Sequence, residues 1–450
     1  MKTLLITVDA WRASHASFMP NSTASRTPAL ESLAERGAVF TQAVSHGPAT
    51  PYAFPALLTS TYPLDFGGYE RIREDRTLLS ERLADAGYTC TGIHANPWLG
   101  ERYGYARGYE SYRDVGAFSS PTLDSGREFL INRFGLDHPV YRAAQYLFRF
   151  GSAPLYRLRG GADEVSLARR ALADAPADSF VWVHLLDPHA PYTPPKRHRE
   201  AVGVRLGRSS ATQLTTRAQH APDSLSERER ELVRKLYDAS VRHADERVGA
   251  LLSEVGDDAL VVVTADHGEA LFEHGQVGHE PALYDELVHV PLLIRPPASG
   301  IAGPLVVDTQ VRHVDIAPTV LDYAGVDAPS SFRGRSLRPA IEGRAIPERP
   351  AVTEVASTRQ TPGRIDESAL QIGVRLPTHK LISRGDELYG FDLQADAGEL
   401  APIPNPEGAD WRPLHRQLRE RRDAIDFTGT VAAERDAAVE ERLRELGYLD

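Results

Sequence analysis

The chain has 450 residues, a net charge of −11, 42% hydrophobic and 25% charged residues, which suits one large globular α/β domain with an appendage. The acidic balance argues against a nucleic-acid partner, and no apolar run approaches a membrane span. Cys90 is the only cysteine, excluding an intrachain disulfide and a cysteine-based zinc site, and "MKTLLITVDAWR" lacks a signal-type cleavage site, so a cytoplasmic location is expected.

Short, nearly continuous apolar runs predict strands buried on both faces at 3–8, 38–44, 89–95, 180–186, 259–265 and 290–296. Helical patterns lie between them, at 27–37, 78–87, 162–175 and 227–256, with another at 313–326. This alternation predicts an α/β fold with a large, mostly parallel sheet flanked by helices. Segment 200–225 is polar and without a convincing period, and reads as a loop or lid. After the Pro- and Arg-rich stretch 341–352 the pattern changes to shorter strands at 370–376, 379–384 and 387–393. We therefore divide the chain into a catalytic domain, 1–345, and a smaller antiparallel α+β subdomain, 346–450, closed by a terminal helix.

In an open parallel sheet, ligands bind beyond the carboxyl ends of the strands, and chemically capable residues collect there. The first strand ends in Asp9; strand 180–186 runs into Asp187 and His189; strand 259–265 runs into Asp266 and His267; Thr50 follows strand 38–44 by a short loop. Singly, each has a turn or capping explanation, and Thr50-Pro51 reads as a helix N-cap with proline at the first helical position. Together, two carboxylates, an imidazole and a hydroxyl form a mixed oxygen and nitrogen site for a divalent cation. Metal coordination is a standard way to activate an alcohol at neutral pH, and a helix N-terminus favours a bound anion. His274 and His279 follow in "DHGEALFEHGQVGHE", as candidates to bind an oxyanion, protonate a leaving group or hold a second metal. His184, inside a strand, reads as a core histidine.

In this order the blocks "LLITVDAWRASH", "TPALESLAERGAVFTQAVSHGPATPYAFPALLTSTYP", "FVWVHLLDPHAPYTPP", "VVVTADHGEALFEHG" and "HKLISRGDELYGFDLQADAGEL" resemble the sulfatase family of the alkaline phosphatase superfamily over nearly the whole length. The resemblance implies an alkaline phosphatase-like fold and an ester hydrolase. The departures bear on the reaction. Family sulfatases carry a Cys or Ser, converted to formylglycine, in a C/S-x-P-x-R signature; Thr50 stands there, Pro51 is shifted by one place and Phe54 replaces the arginine. Threonine cannot become formylglycine, because its oxidation gives a ketone. Ala10 occupies the place of the usual second aspartate, no lysine occurs in "GIHANPW", and His279 replaces the usual downstream lysine.

The set Asp9, Thr50, Asp266 and His267 resembles the one-metal arrangement of lipoteichoic acid synthases. The resemblance therefore implies one divalent ion (Mn²⁺, Zn²⁺, Mg²⁺ or Ca²⁺) on those four residues, Thr50 as nucleophile, His189 and His279 as catalytic residues, and Asn96 and His274 as substrate-binding residues. Any second metal would draw on Asp187, His189, His274, His279 and His313. The expected substrate is a small anionic ester, a phosphate mono- or diester. A sulfate ester, a phospho-group transfer and a catalytically silent anion-binding protein are the alternatives. Segments 96–160 and 200–225, which would shape the leaving-group pocket, carry no motif.

Overall fold

The computed structural model describes residues 1–20, 22, 27–115, 163–297, 304–361, 363–433, 440 and 443. In chain order its first strands are β1 (Lys2–Val8), β2 (Ala38–Val44), β3 (Thr89–His94), β4 (Ser111–Asp114), β5 (Ser179–Leu185) and β6 (Leu260–Ala265). The two-residue pair β7 (Ala270–Leu271) and β8 (Val277–Gly278) follows, then β9 (His289–Arg295), β10 (Leu305–Val307) and β11 (Val311–Arg312). Except for β7 and β8, these form one sheet in the order β10-β2-β9-β6-β1-β5-β3-β4, with β11 also on β2. Every pairing is parallel except the two made by β9. The six predicted core strands are all present, because Val, Ile and Leu runs buried on both faces suit a sheet covered on both sides.

Helices form two packed groups flanking the sheet. The long helix Glu227–Leu252 contacts Pro28–Ala34, Glu164–Asp174, Lys196–Ala201 and Arg208–His220; helices Thr50–Thr59, Leu79–Asp85 and Ile316–Ala324 contact one another. Ser226 and Glu229 close a capping box on the long helix, and Asp245 in its middle accepts from the backbone N–H of Ala29 (3.2 Å) and Leu30 (3.0 Å), capping the first helix.

Segment 200–225 is not the expected loop: it holds the helix Arg208–His220, whose buried residues are Ala211, Thr215 and Ala218. Spacings of four and three are helical, but small side chains give a weak apolar signal. Most of segment 96–160, assigned to the leaving-group pocket, lies outside the described residues.

A second sheet, antiparallel throughout, runs β12 (Ala351–Ala356), β13 (Leu370–Arg375), β14 (His379–Arg384), β15 (Glu387–Asp392), β16 (Ile403–Pro404). Helix Arg412–Asp423 packs Leu414 and Leu418 onto it, in a cluster that also takes in Ala56 and Tyr62. Strand β12 was not anticipated because Glu354 interrupts its apolar run; that carboxylate is fully buried and paired with Arg421.

Candidate active site

Register alone brings the acidic residues level. Val8 pairs with Leu185 on one side and with Ala265 on the other, so the next residue of β1, Asp9, and the next of β6, Asp266, leave the sheet together. Asp9 N–H donates to Leu185 O (2.9 Å) and Asp266 N–H to Val8 O (3.3 Å), which prolongs the ladder by one residue. Strand β2 is parallel to β6, both being antiparallel to β9, and β3 is parallel to β5. The loops to Thr50 and Asn96 therefore start from the same edge. Gly268 of "DHGE" fits beneath the backbone of Glu286, where an added Cβ would lie 2.0 Å from its carbonyl oxygen.

Thr50 is the first residue of the helix rather than its cap; Ala49 takes the cap position with extended backbone. The Thr50 hydroxyl is thereby left for the site, donating to Asp266 Oδ2 at 3.0 Å and accepting from Asn96 Nδ2 at 3.1 Å. Asn96 Nδ2 also donates to Asp9 Oδ2 at 2.8 Å, and the N–H of Trp98 on its Oδ1 (3.0 Å) fixes which way the amide faces. Asp266 Oδ1 accepts from the N–H groups of Ala10 (3.2 Å) and His267 (2.8 Å). Asp9, Thr50, Asn96, Asp266 and His267 are all fully buried.

His267 Nδ1–H donates to the Gly268 carbonyl at 2.7 Å, so the neutral ring turns a lone pair from Nε2 toward Asp9 Oδ1 (3.3 Å) and Asp266 Oδ2 (3.7 Å). Three acceptors facing one another require a cation between them. Asp9 Oδ1 and His267 Nε2 take no hydrogen bond from the described residues, and His184 brings a second imidazole nitrogen within 3.2 Å of Asp9 Oδ2. Asp9, His184 and Asp266 place ligand atoms within 4.8 Å of one another. The facing atoms of Asp9, Asp266 and His267, with the Thr50 hydroxyl beside them, fit a divalent metal. Without one, a proton fills the role: burial would lower His267, but Asp266 and Asp9 outweigh it and raise the imidazole to about 9. Burial likewise pushes the Asp9 carboxyl up, yet His189, His184 and His267 hold it well below the usual range.

Of the outer histidines, two join this cluster. The His189 ring lies 4.8 Å, and the His267 ring 4.7 Å, from the His279 ring, centroid to centroid. His189 Nδ1–H donates to Ala190 O (2.6 Å), and burial holds its imidazole below the ordinary value. His279 Nδ1 donates to Glu269 Oε2 (2.8 Å), and Tyr192 O–H to Glu269 Oε1 (2.6 Å). Glu269 and Tyr192 were missed in the sequence reading, although Glu269 completes the "DHGE" block. His274 is not brought to the cluster. Its Nδ1 meets Glu286 Oε1 (2.7 Å), its Nε2 meets Glu399 O (3.1 Å), and its ring stacks on Tyr284 at 3.6 Å. Asp187 is likewise turned away, onto Arg247 Nη1 (2.8 Å). Phe54, in the place of the signature arginine, packs edge-on against His184 at 5.1 Å.

The family model "Sulfatase" matches residues 2–326, and that for the C-terminal part of N-sulphoglucosamine sulphohydrolase matches 273–424. The chain belongs to the sulfatase family. Among this family's curated members it is 34% identical over 177 residues to N-acetylglucosamine-6-O-sulfatase of Bacteroides thetaiotaomicron, covering 37% of this chain and 31% of that protein. It is 38% identical over 120 residues to arylsulfatase K of Bos taurus, covering 26% and 22%. The chain thus spans about a third or less of the length of these sulfatases. Among solved structures, the phosphonate monoester hydrolase of Agrobacterium radiobacter superposes with a TM-score of 0.69 at 20% identity, over 95% of this chain and 96% of that one. The alkaline phosphatase-like sulfatase fold therefore extends through both sheets.

Proposed function

We propose that this sulfatase-family chain is a metal-dependent hydrolase of phosphate esters that works through a covalent intermediate on Thr50. The observation that carries the reading is the Thr50 hydroxyl itself, buried at a helix N-terminus between Asp266 Oδ2 and Asn96 Nδ2, an alcohol that cannot mature into an aldehyde. The phosphonate monoester hydrolase fold likeness agrees with a phosphorus centre, and the curated sulfatase relatives keep sulfate esters as the second reading.

Asp9, Thr50, Asp266 and His267 would hold the cation. When bound, it supplies positive charge that favours the Thr50 alkoxide and an approaching anion. Thr50 gives up its proton along the existing hydrogen bond to Asp266, and its Oγ1 attacks phosphorus in line as the bond to the alcohol breaks. The positive end of the Thr50–Thr59 helix favours the charge building on the phosphoryl oxygens, and Asn96 Nδ2 holds Thr50 Oγ1 and Asp9 Oδ2 in place for the attack. His279, oriented through Nδ1 by Glu269 and Tyr192, passes a proton to the departing oxygen. His189 carries its proton on Nδ1, so Nε2 offers a lone pair; it accepts the proton of the water that attacks the phosphothreonine and releases Thr50. If an alcohol replaced that water, the same steps would make the protein a phospho-group transferase.

The deciding experiment compares p-nitrophenyl phosphate, bis-p-nitrophenyl phosphate and p-nitrophenyl sulfate as substrates of purified protein reconstituted with each metal. Faster turnover of a phosphate ester is expected. Preference for the sulfate overturns the assignment, and inactivity on all three with tight anion binding would make the protein a silent binder.

A further inference from the structure

We infer that His184 is a positioning residue that turns the Asp9 carboxylate toward the cation as a hydrogen-bond donor, not as a metal ligand. The inference rests on the metal site of the proposed function but not on its substrate. It starts from three atoms beneath the site. Trp182 Nε1–H, a donor only, points at Thr7 Oγ1 from 3.0 Å and occupies one of its lone pairs. The Thr7 proton then has two places to go: His184 Nδ1 at 3.0 Å, or the Val183 carbonyl at 3.4 Å. The second is long for an O–H···O bond, so the proton goes to Nδ1. A neutral imidazole that accepts at Nδ1 must carry its hydrogen on Nε2, and Nε2 faces Asp9 Oδ2 at 3.2 Å.

The two oxygens of Asp9 are thereby given separate tasks. Oδ2 accepts from Asn96 Nδ2 and His184 Nε2, while Oδ1 is left to His267 and the cation. With the opposite tautomer, the Nε2 lone pair would face a carboxylate oxygen that already has a donor. Trp182, Thr7 and His184 are fully buried, and Phe54 closes the edge of the imidazole at an interplanar angle of 90°. A cationic arginine in the place of Phe54 would set its charge beside that ring. The chain Trp182–Thr7–His184–Asp9 thus crosses between β5 and β1 at each step and reaches the site as one directional relay.

The test uses the 450-residue chain with ¹⁵N-labelled histidine, first metal-free and then loaded with Zn²⁺, and follows the two His184 nitrogens by long-range ¹H–¹⁵N correlation. Nε2 is expected to stay protonated in both states. Zn²⁺ affinity, measured by competition with a chelating dye, is expected to fall about 10–100-fold in His184→Leu, the usual cost of removing such a partner, and to stay within about threefold of wild type in His184→Gln, whose amide restores the donor. Loss of the Nε2 proton on Zn²⁺ binding would make His184 a ligand and overturn the inference. So would a Gln variant that binds as weakly as the Leu variant. Neither readout involves turnover, so failure of the phosphate-ester reading would leave this result standing.

Discussion

Replacing Thr50 by Val tests the reaction scheme most directly, because it deletes one oxygen and keeps a β-branched side chain of nearly the same volume. The hydroxyl makes one hydrogen bond to Asp266 Oδ2 at 3.0 Å and takes one from Asn96 Nδ2 at 3.1 Å. Asn96 keeps its contact with Asp9 and Asp266 keeps its two backbone donors, so the stability cost is that of a partly unsatisfied buried site, about 1–3 kcal/mol. For a chain this long that is a fall in Tm of several degrees at most. Loss of the attacking atom, in contrast, removes the covalent route altogether and should lower kcat by about 10⁴ or more, over 5 kcal/mol of barrier. Thr50→Ser restores the oxygen and should recover activity to within about tenfold of wild type, the difference reflecting a freer rotamer. Steady-state rates on the preferred p-nitrophenyl ester, thermal melts of all three proteins, and mass spectrometry of the acid-quenched Thr50 peptide complete the assay. A Thr50→Val protein that melts normally and keeps more than about 1% of the rate would refute a threonine nucleophile.

Other perturbations follow from the same contacts. Chelation should abolish turnover and lower Tm, and metal at 100 times its Kd should restore about 2.7 kcal/mol; Asp266→Asn should show no such metal-dependent shift by calorimetry. Arg421→Met should cost about 3–5 kcal/mol in urea unfolding, because it takes the ion-pair partner from the buried Glu354 carboxylate, Asp65 keeping its pair with Arg333, while the rate per folded molecule stays unchanged. His274 is raised above its ordinary value by the Glu286 hydrogen bond, so its folded pKa exceeds its unfolded one. Its contribution is complete below the unfolded value of about 6.5 and is lost as pH rises through the folded value. Urea midpoints between about pH 6 and 8 should therefore decline in wild type and less so in His274→Gln.

The fold was legible because β1, β5 and β6 are uninterrupted apolar runs, and their carboxyl ends could be read from the first polar residue after each. That single step located Asp9, Asp266 and His267. Helix Arg208–His220 was hidden because its contact face is Ala211, Thr215 and Ala218, too small to register as an apolar stripe. His184 was legible as buried but not as a partner of Asp9, since that contact depends on Thr7 and His184 lying opposite each other in register, which no local pattern shows. His274 misled for the opposite reason: it stands five residues before His279 in a histidine-rich stretch. The backbone turns at Phe272 (φ 85°) and His274 (φ 52°), and the ring goes to Glu286, Tyr284 and the Glu399 carbonyl between β15 and β16 instead.

Ala10 bears on the choice between phosphate and sulfate. It stands where the family has a second aspartate, fully buried, with φ 56° and its N–H on Asp266 Oδ1 at 3.2 Å, so the backbone needed to present a carboxylate at the site is still in place. With Asp9 ionised and one proton shared between Thr50 and Asp266, a site loaded with a divalent ion would be neutral; an aspartate at position 10 would give it one negative charge. A phosphate monoester arrives as a dianion and a sulfate ester as a monoanion. One extra carboxylate about 6 Å from the incoming group, at an effective dielectric of about 20, opposes each substrate charge by about 3 kcal/mol. Ala10→Asp should therefore lower kcat/KM for p-nitrophenyl phosphate about 100-fold more than for p-nitrophenyl sulfate, with the monoanionic bis-p-nitrophenyl phosphate following the sulfate. Aspartate tolerates the left-handed backbone better than most residues, so the variant should fold. If the phosphate-to-sulfate ratio at pH 8 is unchanged in a folded, metal-loaded Ala10→Asp protein, the charge-balance argument for a phosphate substrate is wrong.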